Sequence, residues 1–203
     1  MGNIGKREVL TMSKIKEIGL IVEDNSDFES LSILIKRLTK KDNLKFRKAI
    51  GNGCGKLRRK ALMYADNLAK KGCNMVIIVH DLDRNSYAEL YNELSNKMLE
   101  SSAKFNFVCI PVEEIEAWFL SDLGAIKTTF NLMRLPRISG APETITSPKE
   151  KIGELVRSNS NNTKLYLNTK HNAKLSESIS IERLISKCDS FRKLNDFVMQ
   201  HRY

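Results

Sequence analysis

The sequence predicts an α/β protein: a four-stranded, mainly parallel sheet flanked by helices, with a helical C-terminal cap. Three observations carry this reading. Short runs rich in Ile and Val alternate with segments whose apolar residues recur at helical spacing, as in repeated strand–helix–strand units. Those runs are almost wholly apolar, as buried strands are. After Gly124 the strand signal stops, and a proline-bearing loop gives way to polar turns and further helical periodicity.

Each element has its own signature. "EIGLIV" (17–22) is a buried strand. "DFESLSILIKRLTKK" (27–41) repeats Phe28, Leu31, Ile35 and Leu38 on one helical face, with Ser26 as the expected N-cap and Glu29 as its capping-box partner. "LKFRKAI" (44–50) alternates imperfectly and suits a strand near an edge. "GNGCG" (51–55) is a glycine-rich turn into the helix 56–72, which stops at Gly72. "NMVIIVH" (74–80) is the clearest strand. A helix over 86–101 follows, with Leu90, Leu94 and Leu99 among its apolar positions. "FNFVCI" (105–110) is a strand ending at Pro111, and 112–124 reads as a short helix. Pro148 opens a helix over 148–158, and 173–200 reads as two short helices around "CDS". The expected organisation is a flexible extension over 1–15, a core over 16–124, and a loop with a helical cap over 125–203.

A chain of 203 residues can bury a core without staples. No apolar run approaches the ~18 residues that a membrane span needs. "MGNIGKREVLTM" lacks the apolar stretch of a secretion signal, and Lys6 stands where myristoylation wants Ser or Thr. Met12 is an alternative start. The cysteines Cys54, Cys73, Cys109 and Cys188 form no CxxC pair and, with three histidines, no zinc spacing. Cys73 and Cys109 are expected to be buried free thiols, which fits a reducing cytoplasm.

The net charge is +10, and its distribution says more than its size. From Lys36 to Lys60 there are eleven basic residues and one acid. From Asp81 to Asp122 there are nine acids and three basic residues. Such a split suits a polyanion brought to a cluster of carboxylates, with cations between them.

In parallel α/β sheets, sites form at the carboxyl ends of strands. Here those ends carry Glu23 with Asp27 one helical turn on, then Gly51 to Gly55, then Asp81 and Asp83, then Glu113 to Glu116. Asp81 and Asp83 are two apart in what reads as an extended strand end, so their side chains share a direction while His80 points into the core. Clustered carboxylates need protons or cations, and all-oxygen ligands suit Mg²⁺ or Mn²⁺. Two such ions ~4 Å apart serve an in-line phosphoryl displacement. The plainer reading makes these acids helix caps and turn formers, Asp27 above all. Trp118, between Ala117 and Phe119, is expected in the core. "GNGCGKL" lacks the Walker spacing, yet a glycine turn feeding a helix still favours anions, with Lys56, Arg58 and Arg59 at hand.

"LIVEDN" also resembles the opening of bacterial receiver domains. That pattern fails later: Asp81 comes too far along the chain, and "FVCIPVEE" has no Thr or Ser at its strand end. "VEDNSD" and "HDLDR" together resemble the Toprim fold of topoisomerases, primases and the overcoming-lysogenization-defect nucleases. Asp24 stands where that family commonly has Gly. Most of the chain from Lys16 resembles domain-of-unknown-function family 4276, through "GCGKL", "VIIVHDLDR", "IPVEEIEAWFLSD", "SPKEKI", "YLNTKHNAKLSESI" and "CDSF". This resemblance implies that Glu116 and Asp122 join the acidic site and that Lys170 meets substrate phosphate. His171 beside it would complete the clamp. It further implies a partner ATPase and a role in anti-phage defence.

The expectation is therefore a Toprim-like, metal-dependent nuclease acting on DNA or RNA. Glu23, Asp27, Asp81 and Asp83 would hold the ions, and Glu116 would add a ligand or orient water. Lys56, Arg58, Arg59, Lys170 and His171 would bind phosphate. Homo-oligomers are compatible with this reading, and a membrane is not involved. The alternatives are a non-catalytic regulatory or interaction module on the same fold, and a phosphoreceiver-like domain.

Overall fold

The computed structural model describes residues 14–203. The readings of Gly2 and Met12, and most of the expected 1–15 extension, lie outside the described residues. Ile15 is buried, and its N–H donates to Arg202 O at 2.7 Å.

The strands are β1 (Glu17–Val22), β2 (Lys45–Ile50), β3 (Met75–Val79) and β4 (Phe105–Cys109), all parallel in the order β2-β1-β3-β4. Helices α1 (Asn25–Thr39), α2 (Cys54–Lys70) and α3 (Tyr87–Leu99) connect them. The strand alternation sorts the core into two layers. Ile18, Leu20 and Val22 of β1 and Met75, Ile77 and Val79 of β3 face α1 and the C-terminal helices. Ile21, Val76 and Ile78 face α2 and α3. Successive side chains on opposite faces explain why these strands read as unbroken apolar runs.

In the C-terminal part the regular elements are helices joined by loops: α4 (Glu116–Phe119), α5 (Leu123–Thr129), α6 (Pro148–Ser158), α7 (Asn168–Ser178), α8 (Ile181–Lys187) and α9 (Asp189–Met199). It shares one apolar cluster with α1 and the sheet. Arg37 of α1 fastens α7 from the side, its guanidinium donating to Ser176 O and Ile179 O at 2.6 Å each. Those carbonyls end α7, where intrahelical partners run out. Trp118 is fully buried, donates to Ser190 Oγ at 2.8 Å and meets the edge of Phe191.

Several expectations are corrected. The helix start is at Asn25 with Asp24 as N-cap, in a reciprocal box with Asp27 rather than Ser26 with Glu29. Residues 112–115 are not helical, and α4 is one turn long. A left-handed Glu113 (φ 59°) interrupts the helix that the sequence periodicity suggested there. The region 173–200 holds parts of three helices, and α7 starts upstream at Asn168. Leu99 is 79% exposed; Met98, four residues after Leu94, fills the core position instead. All four cysteines are free, Cys73 and Cys109 buried as expected.

One glycine is fixed by close approach. A Cβ on Gly51, just past β2, would lie 2.5 Å from Leu57 Cβ and 3.1 Å from Leu57 Cα. Gly51 also donates to Val22 O at 2.8 Å, so it cannot easily retreat. Gly51→Ala is expected to cost about 1–3 kcal/mol, read as a Tm lower by about 2–4 °C per kcal/mol in thermal unfolding. An unchanged Tm would show that α2 can move away freely.

Candidate functional site

The strand order creates the site's position. From β1 the chain moves outward to β2 across the α1 face; it then returns to β3, on β1's other side, across the α2 face. The connections leaving β1 and β3 therefore diverge, α1 to one face and α3 to the other. The crevice between two such strand ends is the usual ligand position in a parallel sheet. Glu23 and Asp27 lie just beyond β1, and Asp81 and Asp83 just beyond β3.

Five carboxylates influence one another here. Burial raises the pKa of Asp81 well above the carboxylate range, and Asp27, Glu116, Asp83 and Glu23 add to the rise. Asp27 is pushed up to about 8 by burial, then by Asp24, Glu116 and Glu23, against the bond it accepts from the Asp24 amide. Glu23 is raised by burial, Asp83 and Asp24, with His80 and Lys149 opposing. So Glu23, Asp27, Asp81, Asp83 and Glu116 are brought together as the sequence led one to expect.

Local backbone fixes their directions. The Asp27 amide donates to Asp24 Oδ1 at 3.1 Å, and the Asp24 amide to Asp27 Oδ2 at 3.3 Å. Asp24, which stands where the Toprim resemblance would lead one to expect Gly, is thus the helix cap. The DLD segment is not an extended strand end. β3 stops at Val79, Leu82 N–H donates to Pro111 O at 3.0 Å, and Asp83 N–H donates to Glu113 O at 3.1 Å. The turn toward the β4 loop puts Asp83 at φ 47°, a conformation Asp tolerates better than most residues and one that recurs at functional sites. Asp83 is exposed where Asp81 is half-buried.

Glu116 is held by two residues whose role the sequence did not reveal. Tyr166 Oη donates to Glu116 Oε1 at 3.1 Å, and Asn172 Nδ2 donates to the same oxygen at 3.1 Å. Tyr166 lies within 2.5 Å of Asn172 Oδ1, closing the triangle. Burial and Glu116 drive the Tyr166 pKa upward, so its phenol stays a donor. Tyr166 and Asn172 both lie in "YLNTKHN", on either side of Lys170. Glu114 accepts from the Lys149 amide at 3.2 Å and docks the start of α6 beside the cluster. His80 is 3% exposed, as its expected core position requires. Its Nδ1 contacts Asp81 O at 2.7 Å and must donate, because a carbonyl only accepts. That leaves the buried Nε2 with no partner among the described residues.

The basic residues divide. The Gly51–Gly55 turn sits beside Glu23, since Asn52 N–H donates to Glu23 O at 3.1 Å, and the N-cap Gly53 has no side chain to close α2. Lys56 in that first turn is half-buried and Arg59 is exposed. Arg58 points elsewhere, paired with Glu93 of α3 next to Lys97. Lys170 is not in a loop: it is exposed in the first turn of α7, near Asn168, whose carbonyl accepts from Ser26 Oγ at 3.3 Å. His171 Nδ1 closes that turn against Leu167, and its ring packs on Phe130. Asp122 does not join the cluster. It caps α5 through Gly124 and Ala125, accepts from Ser180 N–H at 3.0 Å, and pairs with Arg183 at 2.5 Å. Burial alone would raise its pKa, but the amide bonds and Arg183 bring it below the usual range.

The donors gathered here are of the kind that hard cations take. They are carboxylate oxygens, which suit Mg²⁺ or Mn²⁺. Their mutual repulsion is what a cation with its water shell would relieve. Among the described residues no three Asp, Glu, His or Cys side chains already converge on one point, so an ion would have to gather them.

Fold and site together define an α/β protein with an acidic crevice at the switch point of a parallel sheet. The chain belongs to the family described as "Domain of unknown function (DUF4276)", whose family model matches residues 14–198. No curated protein and no solved structure matches it significantly. Among the described residues, no helix is long and apolar enough to cross a membrane.

The raised carboxylates set the sign of a pH effect. Folded Asp27 keeps its proton to about pH 8, whereas the unfolded chain releases it near 4. Its contribution to stability is complete below about pH 4 and is lost as pH rises toward 8. Without divalent ions, Tm should fall from pH 5 to pH 8. Asp27→Asn should flatten that fall and raise Tm at pH 8, by about 2–4 °C per kcal/mol of repulsion removed. A wild-type Tm that climbs steadily over this range would contradict the clustering.

Proposed function

We propose that this crevice hydrolyses phosphodiesters of DNA or RNA with the help of divalent cations, on a Toprim-like plan. The observation that supports it most is the gathering of partly buried like charges at a ligand-binding switch point, which costs stability unless cations offset it. Glu23, Asp27, Asp81 and Asp83 would hold Mg²⁺ or Mn²⁺, as one or two ions. Bound there, such ions supply positive charge against a phosphoryl group and acidify water.

The chain's own residues do the rest. Tyr166 and Asn172 engage Glu116 Oε1 and leave Oε2 to orient water or take its proton. Lys170 at the α7 start, and Lys56 with Arg59 at the α2 start, would bind backbone phosphates. With its guanidinium committed to Glu93, Arg58 positions α2 against α3 rather than meeting substrate. On the resemblance drawn from sequence motifs, we place the protein as an effector in anti-phage defence, gated by a partner ATPase.

Purified protein, alone and with its genomic-neighbour ATPase, should cut plasmid or tRNA when Mg²⁺ or Mn²⁺ is added. Asp81→Asn should lower the rate at least about 100-fold, more than 2.7 kcal/mol of transition-state stabilisation. Added Mg²⁺ should also raise wild-type Tm at pH 8, and do so less in Asp81→Asn. Absence of both cleavage and cation-induced stabilisation would remove the metal-dependent reading. Stabilisation without cleavage would favour the non-catalytic module.

A further inference from the structure

The two edges of the sheet are built differently. β2 exposes Lys45, Arg47 and Lys48, charges of the kind that discourage a further strand. β4 is Phe-Asn-Phe-Val-Cys, without a charge, and among the described residues no strand covers its outer side. Two of its hydrogen bonds give the direction of its backbone. Phe105 N–H donates to Asn74 O at 2.9 Å, and Cys109 O accepts from His80 N–H at 3.1 Å. Both face β3, so the two-residue period turns the N–H and C=O of Asn106 and Val108 outward. Hollows of about 480 and about 220 Å³ open along this edge and share Tyr91, Phe107 and Val108. Tyr87 and Tyr91 stack at 5.8 Å beside it, each 39% exposed.

We propose that β4 is a homodimerisation edge: a second copy adds its own β4 antiparallel, about a two-fold axis through Phe107. In that register Asn106 of each copy lies opposite Val108 of the other. Each such pair exchanges two backbone bonds, so every outward N–H and C=O of both strands finds a partner. Phe107 meets its counterpart in the closer, non-hydrogen-bonded pair, where aromatic contacts add stability. Charge favours a second copy at this place. The chain carries +10, so copies repel over much of their surface, whereas the β4 strip is neutral. Its rim carries Lys193 and Asp196 of α9, and Lys193 already meets Tyr87 and Asp189 within the chain, so the rim adds no net charge that would repel a second copy. The result is one continuous sheet through both copies, with the acidic crevices at opposite ends. The inference is independent of what the crevice does.

Light scattering after size exclusion, at about 10–100 µM, should give twice the 23.2 kDa chain mass. Asn106→Pro removes one outward N–H and leaves the β3 side intact, as edge strands allow. It should weaken association at least about 10-fold, which is 1.4 kcal/mol. Tyr91→Glu, on the surface of α3, should do the same and covers the case in which the proline variant fails to fold. Hydrogen exchange on wild type should show Asn106 and Val108 amides protected at high concentration and exchanging on dilution. A single-chain mass throughout, or a dimer that survives both substitutions with those amides unprotected, would overturn the proposal.

Discussion

The structure is organised around a repulsion. Glu23, Asp27, Asp81, Asp83 and Glu116 crowd one end of a parallel sheet, where burial and neighbouring charge disfavour ionisation of Glu23, Asp27 and Asp81. Hydrophobic burial in two layers, with Ile and Val filling β1 and β3, supplies the stability against which this crowding is tolerated. Nearly every neighbouring element contributes a fixing contact. Asp24 caps α1, Tyr166 and Asn172 restrain Glu116, Glu114 docks α6, and the DLD turn is bonded to the loop after β4. An acidic site assembled from three segments needs such outside supports, because like charges do not hold one another.

The helical C-terminal part is therefore more than a lid over exposed apolar surface. α7 brings Asn172 and its preceding Tyr166 to Glu116, and its end is fastened to α1 by Arg37. α9 buries Trp118 and Phe191 against the sheet's α1 face. Removing these helices would expose the core of the sheet and release Glu116 together.

Much of this was legible in the sequence because it rests on short-range pattern. The apolar runs at 17–22, 74–80 and 105–110 found β1, β3 and β4 to within a residue or so, and Pro148 marked α6. The acids grouped correctly because strand ends in a parallel sheet share one rim. The failures were long-range or conformational. The left-handed turns at Asp83 and Glu113 depend on bonds between two loops, which no local periodicity records. Asp24 and Ser26 compete for one capping position, and residue type alone did not separate them. Asp122 and Arg58 looked like site residues by composition, yet each is committed to a partner far along the chain, Arg183 and Glu93.

The reciprocal box at the start of α1 carries a last consequence. Asp27 Oδ2 accepts from the Asp24 amide, and the same carboxyl belongs to the crevice. Any occupant that draws this oxygen inward competes with that amide, so filling the crevice and winding the first turn of α1 are thermodynamically coupled, and reciprocally so. The α1 terminus thereby reports occupancy. Ser26, inside that turn, touches the start of α7 through Asn168, and a frayed or tightened turn would be felt by the very helix that carries Lys170.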